Sequence, residues 1–153
     1  MLDYSSILQG IIIVSINKNA ELIIKLSNIH NHLLKRVDNQ LSLHGLSFTE
    51  FLVMYHLISS PNMMMRRIEL AESIGLSASG ITRLLLPMEK TGLVTKEVNP
   101  RDARVSLVKL SKTGKQMFND SEKSLNQCAE TLTSPLNDKQ RDIFIDLSNI
   151  LLL

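Results

Sequence analysis

A mainly α-helical fold with one small β-hairpin is what this sequence predicts, and three observations predict it. Apolar residues recur in steps of three and four from Asn17 to His44. Residues 67–92, "RIELAESIGLSASGITRLLLPMEKTG", carry the spacing of two short helices crossing at a tight turn. Two β-prone runs, "LVTKEV" and "RVSLVKL", follow at once and are joined by only five residues, 99–103.

Composition limits what such a fold can be. The chain has 153 residues, 44% hydrophobic and 21% charged, which suits one domain of ordinary globular make-up. A domain of this size leaves roughly 30% of its unfolded surface exposed, so apolar terminal helices invite cover by a partner. The single cysteine, Cys128, excludes an intramolecular disulfide and fits a reducing compartment, with the cytoplasm as the expected location. The run "ILQGIIIVSI" (7–16) is shorter than the about 20 apolar residues of a membrane span, and Asp3 precedes it where a signal peptide wants basic residues. It reads as an apolar arm packed on the same or a second subunit, with no membrane partner. Net charge is only +2, but residues 63–115 hold ten Lys and Arg against five acids, and the rest of the chain holds seven against ten. A basic centre between acidic ends makes a local positive surface on a nearly neutral protein.

The elements follow in order. Leu22, Leu26, Ile29, Leu33, Val37 and Leu41 make one stripe of a long helix over residues 17–44, which Gly45 can end. In "LSFTEF", Ser47 caps a second helix, Glu50 reaches back to the Ser47 amide, and Leu46 clamps Phe51. That helix runs to about Ser59, with Pro61 beyond it. The Met63–Met65 run and Tyr55 and His56 are pocket candidates, although methionines at this spacing are more often adaptable core.

In residues 67–92, Ala71 is the small residue a helix crossing needs, and Gly75 supplies positive φ at the turn. Leu70, Ile74, Leu76, Ile81 and Leu84 lock the two helices together, Ser77 caps the second, and Gly92 follows its end. With Ile81, Leu84, Leu85 and Met88 turned inward, the outward face near the helix start holds Ala78, Ser79, Thr82 and Arg83. Such small and hydrogen-bonding residues let a helix approach the major groove of double-stranded DNA. There Arg83 can donate to guanine or phosphate, and Ser79 and Thr82 to phosphate oxygens or base edges. Pro87 removes one helical amide bond and predicts a bend near Leu86.

The two β-prone runs form a hairpin whose tip is "NPRDA". Asn99 and Pro100 favour the turn, Arg101 projects furthest toward a minor groove, and Asp102 pairs with Arg104 to hold the loop. A surface ion pair contributes only about 0–1 kcal/mol, so stability is a poor reason for that cluster and nucleic-acid contact a better one. Ser111 then caps a helix through Met117, Phe118 and Leu125 to about Leu132, and Pro135 separates it from a last helix carrying Ile143, Phe144, Leu147, Ile150 and Leu151. That element is apolar to its end and wants a second subunit over it.

On "IELAESIGLSASGITRLLLPMEKTGLV" and "NPRDARVSLVKLSKTG", the chain resembles the multiple-antibiotic-resistance-repressor (MarR-type) family of bacterial transcription regulators. The resemblance in element order extends from about Asn17 to the end. One domain is expected over 1–153: an apolar arm (1–16) that lies outside the resemblance, and, as the resemblance implies, dimerisation helices (17–45 and 112–153) and a winged helix-turn-helix (47–111). The resemblance further implies a homodimer reading a palindromic operator as a repressor, released or retuned by a small, often aromatic effector. Ser77, Ser79, Thr82 and Arg83 would lie on the recognition helix, Arg101 at the wing tip, and Asp102 and Arg104 in the family's Asp-x-Arg pattern. Asn99 stands where an acid is common, and Pro87 where a polar helix residue is common.

An enzyme is not expected. The chain has no glycine-rich phosphate cradle, no Cys-His pair at metal spacing and no recognisable paired carboxylates, and His30 and His32 diverge on their helix. No cofactor or metal is expected either. A winged helix that binds only protein is the alternative, and it would not need cations on both recognition helix and wing.

Overall fold

A computed structural model describes residues 16–98 and 105–152. The arm residues before Ile16 and the wing-tip residues 99–104, with Arg101, Asp102 and Arg104, lie outside the described residues. Contacts divide the chain into two compact units, one reaching to His32 and one from Leu33 onward.

Asn17 starts the first helix as expected of a cap: its Oδ1 accepts the Ala20 N–H at 2.8 Å. Helix α1 spans Lys18–Leu41, and of its apolar stripe only Val37 and Leu41 are buried, while Leu22, Ile29 and Leu33 stay exposed. A single 3-10 turn, Ser42–His44, leads to Gly45. Helix α2, Phe48–Ile58, begins with the predicted reciprocal cap, Glu50 N–H donating to Ser47 Oγ at 3.2 Å and Ser47 N–H to Glu50 Oε2 at 2.8 Å. Leu46 and Phe51, the predicted staple, are both buried. Asp38 ties the end of α1 to this cap by accepting the Phe48 N–H at 2.6 Å.

Between α2 and the next helix the structure adds a strand that the sequence pattern did not reveal, β1, Met64–Arg66. It runs antiparallel to β3, Ser106–Leu110, which also pairs with β2, Val94–Val98, so the sheet order is β1-β3-β2. The hairpin register runs from Val94 opposite Leu110 to Val98 opposite Ser106. Met63 and Met65 of the methionine run pack against the core, and the backbone enters β1 through consecutive positive φ values at Asn62 and Met63.

Helices α3, Arg67–Ile74, and α4, Ala78–Lys90, meet at Gly75, whose φ of +73° is the left-handed conformation that glycine alone adopts without a Cβ penalty. Leu70, Ala71, Ile81, Leu85 and Met88 close the crossing. Helix α4 runs unbroken through Pro87 to Lys90, so the bend expected near Leu86 does not interrupt it. Leu41, Met54, Leu57, Val94 and Val108 complete a core to which helices and sheet all contribute.

Helix α5, Lys112–Thr133, is seated firmly on this core. Ser111 accepts the Gly114 N–H at 2.9 Å, donates its hydroxyl to Gly92 O at 2.5 Å, and donates its own N–H to Leu93 O at 3.1 Å. A Cβ at Gly114 would lie 2.1 Å from Leu93 O, so only glycine allows this approach. Phe118 stacks on Phe51 of α2 with ring centroids 4.9 Å apart. Helix α6, Asp138–Leu151, is capped by Asn137, whose Oδ1 accepts the Gln140 N–H at 2.9 Å, yet it buries no residue. Among the described residues, no helix is long and apolar enough to cross a membrane.

Candidate nucleic-acid interface

The candidate recognition face is built from the N-terminus of α4. Ser77 has extended backbone, and its Oγ accepts the Gly80 N–H at 3.1 Å, so this side chain starts the helix. The same hydroxyl lies 3.1 Å from Ser79 Oγ, which draws Ser79 toward the cap. Four residues on, Thr82 donates its hydroxyl to Ala78 O at 2.7 Å and accepts a hydrogen bond from Arg67 Nη1 at 3.1 Å. Arg83 is exposed beside it. The structure therefore brings Ser77, Ser79, Thr82 and Arg83 together on the first two turns of one helix, with Thr82 tied into its surroundings and Arg83 in solvent.

Arg67 is the functional candidate that sequence reasoning missed. It opens α3 directly after β1, so its backbone belongs to the join between sheet and helix, while its guanidinium reaches the outward side of α4. A small cleft of ≈ 90 Å³ beside it is lined by Arg67, Thr82, Leu86, Glu89, Lys96 and Ser106, among others. No spacing rule links Arg67 to Thr82, fifteen residues away. The sequence signal was only that two adjacent arginines precede a helix.

The neighbouring Arg66 behaves differently. Its side chain pairs with Glu69 at 2.6 Å, and its backbone N–H donates to Glu69 Oε2 at 3.1 Å. Hydrogen bonding from Arg66 holds the Glu69 carboxyl below its ordinary range, and the same pair raises the guanidinium. Glu69 thus engages both the backbone amide and the guanidinium of Arg66 at the start of α3. Lys90 and Lys96, also within the basic centre of the sequence, are exposed.

Helix α3, the Gly75 turn, helix α4 and the β2–β3 hairpin on a three-stranded sheet define a winged helix-turn-helix protein. Residues 44–105 match the model of the MarR family. Solved structures of that family superpose closely. A MarR family transcriptional regulator from Streptomyces coelicolor, in complex with DNA, gives a TM-score of 0.81 at 19% identity, over 90% of this chain and 89% of that one. A mutant MarR from E. coli complexed with operator DNA gives 0.80 at 20% identity, over 90% and 97%. A MarR-like protein from Bacillus cereus gives 0.74 at 25% identity, over 87% and 94%. An uncharacterised helix-turn-helix transcriptional regulator of Bacillus subtilis is 24% identical over 79 residues, 52% of this chain. The match spans about half of that relative's own length, 48%. Residues 44–105 are thus similar to the MarR family, and the fold of the described residues is the one its solved members share.

Proposed function

We propose that this protein is a sequence-specific, double-stranded-DNA-binding transcriptional regulator that acts as a homodimer on a palindromic operator. The observation that carries the reading is the start of α4, where Ser77 fixes the helix end, Arg67 braces Thr82 against the sheet, and Arg83 is left free to solvent. A helix N-terminus with small side chains and one long cation fits a major groove, and the basic balance of residues 63–115 supplies the field that draws it there. Arg101 extends the contact to the minor groove, with Asp102 and Arg104 shaping the loop. The two DNA-bound relatives support the assignment by fold.

The homodimer reading rests on α6, whose Ile143, Phe144, Leu147 and Ile150 are all exposed in the single chain. Two such faces cover each other in a two-fold assembly, and the same symmetry produces an operator of two inverted half-sites. Repression follows from occupancy of such a site over a promoter. A small aromatic acid suits the ≈ 330 Å³ cleft between the end of α1 and α5, where Arg36 offers a cation and Leu132 an apolar wall.

Gel-shift titration against the DNA flanking its own gene, at two salt concentrations and with candidate aromatic acids, tests the reading. Expected is a log–log salt slope near −0.9 for each phosphate neutralised. Arg101→Ala should weaken binding to all sequences, and Arg83→Ala should also relax preference within each half-site, by about 1–3 kcal/mol at a guanine contact. Salt-insensitive behaviour, or no binding to duplex at low salt, would instead favour a winged helix that binds protein.

A further inference from the structure

Thr82 is the residue of the recognition face whose donor capacity is already spent. A threonine hydroxyl has one hydrogen to give and two lone pairs. The hydrogen goes to Ala78 O at 2.7 Å, and one lone pair takes the Arg67 Nη1–H at 3.1 Å. Nothing is left to donate to a phosphate oxygen or to the acceptors of a purine edge. What Cβ still carries is the γ-methyl, in a staggered position away from Oγ1. One turn further along the same side of the helix is Leu86, 51% exposed, a second apolar group on that side.

The one apolar feature on the major-groove edge of a base pair is the C5-methyl of thymine, and alanine and threonine methyls are its usual partners. We infer that Thr82 selects a thymine in each half-site through its γ-methyl, and that Arg67 is the positioning residue that holds its hydroxyl out of the contact. The inference rests on the DNA-binding reading above and adds to it which chemical group is read. Arg67 is suited to the task because its backbone sits at the junction of β1, which pairs with β3, and α3, which packs on α4, so the guanidinium reaches Thr82 from a fixed base.

Uracil replacement tests this directly, because it removes the C5-methyl and nothing else. The full-length protein is used to select tight duplexes from a randomised pool, and each thymine of the selected sequence is then exchanged for uracil in turn. One thymine per half-site should lose about four-fold in affinity on exchange, the worth of one buried methyl. Thr82→Val, which keeps a methyl, should retain that ratio. Thr82→Ser, which keeps the hydroxyl and loses the methyl, should bring it to about one at that thymine alone. Arg67→Met should lower the same ratio without changing the melting temperature, and Arg67→Lys, which keeps a donor, should restore part of it.

A flat response to uracil at every position overturns the inference, as does Thr82→Val failing like Thr82→Ser, or Arg67→Met leaving the ratio intact. Selection that enriches no sequence overturns it too. These failures are distinct from that of the function itself, which would show as wild-type protein binding no duplex at low salt.

Discussion

Helices α4 and α6 have the same kind of sequence and opposite fates. Each is amphipathic, about four turns long, and begins at a side-chain cap, Ser77 in one and Asn137 in the other. In α4 the apolar face closes on the core through Ile81, Leu85 and Met88, whereas in α6 Phe144 remains 46% and Ile150 65% exposed. Local rules make both helices. The difference is that α3 and the sheet cover α4, whereas no described residue buries the face of α6. Among the described residues the winged lobe buries its own apolar face, and the terminal helix does not.

The sharpest way to break this comparison is to delete equal apolar volume from each region. Leu57→Ala in the buried core should cost about 2–5 kcal/mol in urea unfolding at any protein concentration. Leu147→Ala in α6 should cost under about 0.5 kcal/mol at the lowest concentrations, with a penalty that grows only where copies associate. An equal loss at both sites and no concentration dependence would remove the distinction. Next in size is Gly114→Ala, which drives a Cβ into Leu93 O and should destabilise by about 1–3 kcal/mol, seen as a lowered melting temperature. Ser47→Ala removes the cap of α2 and should cost about 1 kcal/mol in the same measurement.

The smallest expected effect is a pH dependence within the lobe. Burial lowers the His56 imidazole below its ordinary 6.5, so the folded state favours the neutral ring. Its contribution is complete above pH 6.5 and declines as pH falls through the lower folded value, because the unfolded chain then binds the proton more readily. His56→Gln should flatten the stability profile in that acidic window, and an unchanged slope would assign it to other groups.

What was legible beforehand was what is local. Ser47 with Glu50, Gly75 with Ala71, and the caps of Ser77 and Ser111 on Gly80 and Gly114 all act within a turn, and each stands in the structure where its spacing put it. Strand β1 was not legible because three residues show no alternation, and its register partners, Leu107 to Lys109, lie more than forty residues away. The Arg67–Thr82 bond was hidden for the same reason, since it depends on the crossing of two helices and not on either one. Leu22, Ile29 and Leu33 teach the converse: their periodicity announced a helix correctly and did not say what would cover it.

The glycine seat at the start of α5 makes that helix a lever. Its 22 residues extend about 33 Å from a fulcrum bolted to the end of α4 and the beginning of β2. With the near end immobilised by Ser111, a tilt of roughly 5° there displaces the far end by about 3 Å. The bonds that fix the near end join α5 to the two residues that lead from the end of α4 into β2, so the seating of this helix and the position of α4 are set at one place.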